Sequence, residues 1–272
     1  MRRPSSFCWE SFKAEYAAEI AEAKSKASNC TFTLPSPQQL YDRAAKMNDQ
    51  SSTGPDGRAP VELRALPLWI WAIIARFWKS IFQEGAPWPR GLLDAHLVFI
   101  PKADEGARTC SNLRPITVLP LLYRCWASIM FGRFRSHLFS VVPEELRGCR
   151  PRSEVGDVAL DVALGLEEVE VGISKDQSVL SVDISKFFDS LSWEILSELG
   201  KTIGLPVIFV ENMISFYACM KRYLVVNGFV SEAILALNGF PQGCALSSLW
   251  STLGMAVWCL NMKRRIVNIV FS

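Results

Sequence analysis

Asp189 and Gly239 stand fifty residues apart, and each belongs to a segment that leaves the backbone few choices. The first is Val182-Asp183-Ile184-Ser185-Lys186-Phe187-Phe188-Asp189. It drives a β-branched apolar run into a carboxylate, two aromatic rings and a second carboxylate. That pattern predicts a short strand over 178–184 that ends at a turn. The second is Gly239-Phe240-Pro241-Gln242-Gly243-Cys244-Ala245-Leu246-Ser247, a Pro-Gln-Gly turn opening into a helix over 245–260. Between them, 223–226 and 229–235 flank Asn227-Gly228. That dipeptide between apolar runs predicts a tight hairpin.

The rest of the chain alternates helical and extended patterns. Helices are predicted over 9–28, 63–84, 121–139, 156–173, 193–199 and 207–220, with Ser192 as an N-cap. Runs 96–100 and 113–119 read as two strands joined by a polar loop. Residues 50–57 and 141–155 are rich in Gly, Pro and small polar residues and read as loops. No internal repeat or low-complexity tract is visible.

Composition bounds the class of protein. Half of the 272 residues are hydrophobic and 21% are charged, the profile of a globular chain. A net charge of +2 neither favours nor disfavours nucleic acid, so local clustering matters more. Arg114, Arg124, Arg133, Arg135, Arg147, Arg150 and Arg152 make the stretch 108–152 basic. It is either a solvated face or a phosphate-contacting surface. Eight cysteines include no Cys-x-x-Cys, and only His96 and His137 accompany them, which argues against a zinc site. Reduced thiols in a cytosolic or nuclear compartment are the simpler expectation. No signal-peptide pattern is visible, and the longest apolar run, 66–75, is too short to span a bilayer and reads as part of a buried helix.

Asp183 is the residue with the clearest chemistry. A carboxylate at a strand end can hold a hard divalent ion such as magnesium, and the Ile184 carbonyl is a second oxygen donor beside it. An Asp at a strand-to-helix turn is also ordinary punctuation.

The segment 182–189 resembles motif A of reverse transcriptases, in the form found in LINE-type (non-LTR) retrotransposons, with Phe187 where Ala is usual. Pro241-Gln242-Gly243 resembles motif B. Upstream, Gly54-Pro55-Asp56-Gly57, Val98-Phe99-Ile100-Pro101-Lys102, Leu113-Arg114-Pro115-Ile116 and Arg147-Gly148-Cys149-Arg150-Pro151-Arg152-Ser153 resemble further segments of that family in the same order. The resemblance covers roughly 50–260. It implies an α+β fold of the right-hand polymerase type, with fingers, a partial palm built on an antiparallel sheet carrying Asp183, and no thumb. The expected division is an N-terminal helical segment 1–49, fingers and linker 50–175, partial palm 176–261 and an unassigned tail 262–272.

By the same resemblance, Asp183 is the catalytic carboxylate and a magnesium ligand together with Ile184. Phe188 is the steric gate that fills the space of a ribose 2′-OH, and Asp189 is structural. Lys102 and Arg114 meet the triphosphate of a deoxynucleoside triphosphate, and Gln242 and Gly243 meet its sugar or base. Arg147, Arg150 and Arg152 are candidates for contact with RNA template and DNA primer. The implied activity is RNA-directed DNA synthesis by two-metal nucleotidyl transfer.

One element of that family is not found. Its aromatic-x-Asp-Asp hairpin follows motif B, yet no Asp occurs after Asp189 and no acidic residue after Gly243. The expectation is therefore a polymerase fragment that is catalytically incomplete, with a tail after Met262 resembling frameshifted sequence. Two rivals stand beside it: a non-catalytic nucleic-acid-binding remnant, and a maturase-like protein of group II introns.

Overall fold

The computed structural model describes residues 8–26, 30–102, 112–148, 150–173, 179 and 181–265. Two short helices, α1 (Trp9–Glu15) and α2 (Ala17–Lys26), lead into α3 (Pro37–Ala45). The polar N-terminal helix thus breaks at Tyr16. Sequence reading missed α3 altogether. Its start is nonetheless marked: Ser36 Oγ accepts from the Gln39 N–H and the Gln39 side chain accepts from Ser36, a reciprocal cap with Pro37 following.

The helix expected over 63–84 is two, α4 (Pro60–Arg64) and α5 (Leu68–Gln83). Pro67 interrupts them, since its ring removes an N–H from the ladder. Nor is the run 66–75 wholly buried: Trp71 is sealed, while Trp69 is 63% and Ile73 53% exposed. A four-residue helix α6 (Arg90–Leu93) precedes strand β1 (Asp94–Pro101), which pairs antiparallel with β2 (Leu113–Val118).

Helix α7 (Leu121–Val141) is the central post. Its N-cap is Pro120, which has no capping side chain. Asp56 supplies the cap from a distance, its carboxylate accepting from the Leu121 N–H at 2.7 Å. The 54–57 loop is thereby stapled to the start of α7, and Gly54 lies against the Leu119 carbonyl with no room for a Cβ. On the other side of α7, Trp126 stacks on Trp78 of α5 at 4.8 Å and Tyr123 on Phe216 at 4.4 Å. These rings belong to one buried core cluster.

Helix α8 (Val155–Glu170) has no buried residue. Residues 179 and 181–184 carry no strand. Residues 174–178 and 180 lie outside the described ones. The expected strand over 178–184 is thus not seen, and Asp183 sits in irregular, exposed backbone. The reason is physical: a β-branched run becomes a strand only where a neighbour completes its ladder, and Val179 and Val182 are 59% and 52% exposed. Beyond a one-turn helix α9 (Phe187–Ser190) come α10 (Trp193–Thr202), with Ser192 Oγ accepting from Ile195 N–H, and α11 (Val207–Cys219). Phe216 belongs to this last helix.

The predicted hairpin is present as β3 (Lys221–Val226) and β4 (Phe229–Leu235). Asn227 and Gly228 both take positive φ, 48° and 83°, as a two-residue turn of this type demands. One four-stranded sheet results, in order β2-β1-β3-β4. It is mixed, because β1 and β3 run parallel. This corrects the expectation of an antiparallel sheet carrying Asp183. The last helix, α12 (Ala245–Arg265), packs on α7 and α10 and continues across position 262. Trp250 and Leu253 are buried in it. Its Arg264 pairs with Glu19 and stacks over Tyr16, so this end of α12 is tied to the N-terminal helices.

Candidate nucleotide-binding site

The two signature segments meet in space through their backbones. Phe240 N–H donates to the Phe188 carbonyl and Gly239 N–H to the Leu191 carbonyl, both at 2.9 Å. Gly239 has φ +82°, and a Cβ there would lie 2.7 Å from Asp189 Cα, so only glycine fits. Trp193 reinforces the clasp, its ring N–H donating to the Gly239 carbonyl at 2.6 Å.

Motif B is also pinned to β2. Thr117 N–H donates to the Gln242 carbonyl at 2.6 Å. Gly243 has φ +111°, and its absent Cβ leaves space for the Thr117 carbonyl. Ile116 Cγ2 comes within 3.5 Å of the same point. Strand alternation puts Arg114 on the face of Ile116, roughly 7 Å farther along. Its side chain is exposed. Behind the turn, buried Cys244 Sγ lies 3.4 Å from the Tyr123 hydroxyl and 3.7 Å from that of Tyr217. Burial first, and the neighbouring thiol second, push both phenols well above their usual value.

Lys102 is exposed at the end of β1, and its N–H donates to the Asn112 carbonyl across the hairpin. Motif A turns on Lys186, a non-glycine residue at φ 53°. Asp189 N–H and Ser190 N–H both close on the Lys186 carbonyl. Phe188 is half-buried against the core. The Phe187 ring lies at ordinary contact distance from Gly254 of α12, 3.7 Å from where a Cβ would sit, and it is Leu191, at 2.8 Å from that point, that leaves no room for one. Asp183 is exposed and Ile184 half-buried. No group of three or more His, Cys, Asp or Glu side chains converges among the described residues.

Six of the seven arginines of the basic stretch divide into two sets. Arg124 donates to Ser52 O, and Arg133 to Thr33 and Gln39. Arg147 pairs with Asp161, while Arg150 donates to the Leu146 and Pro143 carbonyls and lies over the Phe139 ring at 4.7 Å. Arg114 and Arg152 remain exposed. Cys8, Cys30, Cys125, Cys219, Cys244 and Cys259 are free thiols. Among the described residues no helix is long and apolar enough to cross a membrane.

A family model described as reverse transcriptase (RNA-dependent DNA polymerase) matches residues 100–271. The chain belongs to the reverse transcriptase family. A curated relative is the retrovirus-related Pol polyprotein from type-2 retrotransposable element R2DM of Drosophila melanogaster. It is 30% identical over 213 residues, which is 78% of this chain and 19% of that protein. The likeness to reverse transcriptases of non-LTR retrotransposons therefore holds. Two solved structures, a Cas6-RT-Cas1–Cas2 complex and a partial one, each superpose with a TM-score of 0.46 at 15% identity. Each alignment covers 86% of this chain, and 22% and 35% of the respective solved chains.

Proposed function

We propose that this reverse transcriptase chain forms the deoxynucleotide-binding part of a retroelement RNA-directed DNA polymerase. The observation that carries the reading is the double clasp of motif B. It holds motif A through Gly239–Phe240 and the Arg114 strand through Gln242–Gly243. One rigid turn thereby joins a candidate triphosphate contact, a candidate sugar gate and the candidate metal segment. β1 and β2 would be the fingers strands, 176–261 the partial palm, and 1–49 an N-terminal helical segment.

Asp183 and the Ile184 carbonyl offer hard oxygen donors, which fits one magnesium ion shared with substrate phosphates. When bound, that ion supplies charge neutralisation at the transferring phosphate. A second ion finds too few carboxylates among the described residues. Arg114, with Lys102 at the hairpin end, would place positive charge where the triphosphate gains negative charge. The partially exposed Gln242 side chain would offer donors and acceptors to sugar or base. Template RNA and primer DNA would contact the exposed Arg152. Kinship with a retrotransposon polyprotein favours this reading over the maturase-like one.

The test uses the 272-residue chain with an RNA template annealed to a DNA primer. The deoxynucleotide complementary to the next template base should tighten binding in the presence of magnesium, and Asp183→Ala should abolish that gain. No primer extension is expected from this chain, because no group of three acidic side chains converges at Asp183 among the described residues. Extension lost in Asp183→Ala would refute the incompleteness, and binding insensitive to the deoxynucleotide would refute the proposed nucleotide site.

A further inference from the structure

We propose that Tyr123, Tyr217 and Cys244 form a positioning cluster for motif B: two phenol hydroxyls converge on one thiol and set where the Pro241–Gly243 turn presents Gln242. This role rests on the reading of Gln242 as a nucleotide contact. The cluster joins three places distant in sequence: Tyr123 in α7, Tyr217 in α11, and Cys244 just before α12. Cys244 Sγ lies 3.4 Å from the Tyr123 hydroxyl and 3.7 Å from the Tyr217 hydroxyl, within the reach of hydrogen bonds to sulfur. Both tyrosines are fully buried and Cys244 is 5% exposed, so bulk water is no alternative partner for these groups.

Packing fixes where the two hydroxyls stand. Tyr123 stacks on Phe216 with ring centroids 4.4 Å apart and planes at 6°, and Tyr217 meets Phe240 edge-on at 5.0 Å. The thiol they hold sits on the turn itself. Cys244 N–H donates to the Pro241 carbonyl at 3.3 Å, and its carbonyl accepts from Ser247 N–H at 3.1 Å. The turn is thus held on both sides of Gly243: at Gln242 by the Thr117 N–H of β2, and at Cys244 by the phenols. Gly243, between those two holds, has no side chain of its own to restrict the backbone. Sulfur suits the task. O–H···O bonds close at about 2.7–2.8 Å, so a serine on this backbone would not reach both hydroxyls.

Two measurements on the 272-residue chain test this. The first is deoxynucleotide binding on the RNA–DNA primer duplex with magnesium. Cys244→Ala should raise the deoxynucleotide dissociation constant about tenfold and leave duplex affinity without deoxynucleotide unchanged. Tyr123→Phe and Tyr217→Phe should each lose less, and Cys244→Ser should fall between wild type and Cys244→Ala. Tyr123→Phe combined with Cys244→Ala should lose no more than Cys244→Ala alone, because Tyr123 then has no hydroxyl to leave unpaired. The second is amide hydrogen exchange without nucleotide. The Thr117 N–H, held by the Gln242 carbonyl, should exchange about tenfold faster in Cys244→Ala, with Trp78 of α5 unchanged. A melting temperature that falls in Cys244→Ala while the deoxynucleotide constant and Thr117 exchange keep their wild-type values would make the cluster plain packing and overturn the proposal. A wild-type chain with no deoxynucleotide-dependent gain sinks the nucleotide reading alone. Thr117 exchange then decides whether the cluster holds the turn: faster in Cys244→Ala supports it, and unchanged overturns it.

Discussion

Gly243 and Thr117 are in direct backbone contact: a Cβ on Gly243 would lie 2.6 Å from the Thr117 carbonyl oxygen. That distance is far inside van der Waals contact, and the atom it meets is backbone, which cannot swing aside. The turn after Gln242 and the strand of Arg114 are therefore one mechanical unit.

Gly243→Ala should accordingly destabilise the fold by about 3 kcal/mol, combining a φ of +111° with overpacking. Gly132→Ala, inside α7 with open space around it, should instead stabilise by about 0.5–1 kcal/mol. Urea unfolding midpoints of the two variants decide it. Equal shifts would show that the 243–117 contact is not tight in solution.

Asp56→Ala should lower stability by about 1 kcal/mol, because the Leu121 N–H loses its cap. Asp56→Asn should retain most of it, since the amide oxygen still accepts. Thermal unfolding of both variants checks the ordering. Nothing local in Gly54-Pro55-Asp56-Gly57 reveals this role: the sequence marks a loop, and the helix it caps begins 65 residues later.

Legibility followed locality in the same way elsewhere. The Asn227-Gly228 hairpin and the Ser192 cap were readable because a few adjacent residues determine them. The 178–184 strand was misread because its apolar run is a strand only with neighbours to bond, and none is paired with the described residues. The motif order pointed to the right family, while the pairings that shape the site, Gly239 with Asp189 and Gly243 with Thr117, join residues far apart in sequence. Arg147 and Arg150 looked like a phosphate-binding set, yet the structure engages both in contacts within the chain.

That division of the arginines predicts distinct phenotypes. Arg152→Ala should weaken RNA–DNA binding and reduce the slope of log K against log salt by about 0.7–0.9 for each phosphate no longer neutralised, with little change in melting temperature, whereas Arg114→Ala should weaken deoxynucleotide binding. Arg150→Ala should lower the melting temperature instead, by releasing the Pro143 and Leu146 carbonyls. Fluorescence anisotropy across a salt series, beside thermal melts, separates the two sets.

Stability should fall in alkali. Burial, opposed by Arg43, pushes the Cys125 thiol up to about 12 from 9.0. Between those values the unfolded chain releases a proton that the folded chain keeps, so stability drops as pH rises, by at most about 1.4 kcal/mol per pH unit. The raised phenols of Tyr123 and Tyr217 act in the same direction above pH 10. Denaturant titrations between pH 8.5 and 10.5 should show the decline, and Cys125→Ala should make it shallower by about one proton.

The central claim is that Phe188 faces a sugar in a deoxynucleotide pocket. Its most direct test is photocrosslinking of matched deoxy- and ribonucleoside triphosphate analogues to the 272-residue chain on an RNA–DNA primer duplex, with magnesium. The deoxy analogue should label the wild-type chain at peptides carrying Arg114, the 183–188 segment or Gln242, and the ribo analogue should label these sites only in Phe188→Ala. Equal labelling by both analogues in the wild-type and Phe188→Ala chains would contradict the account.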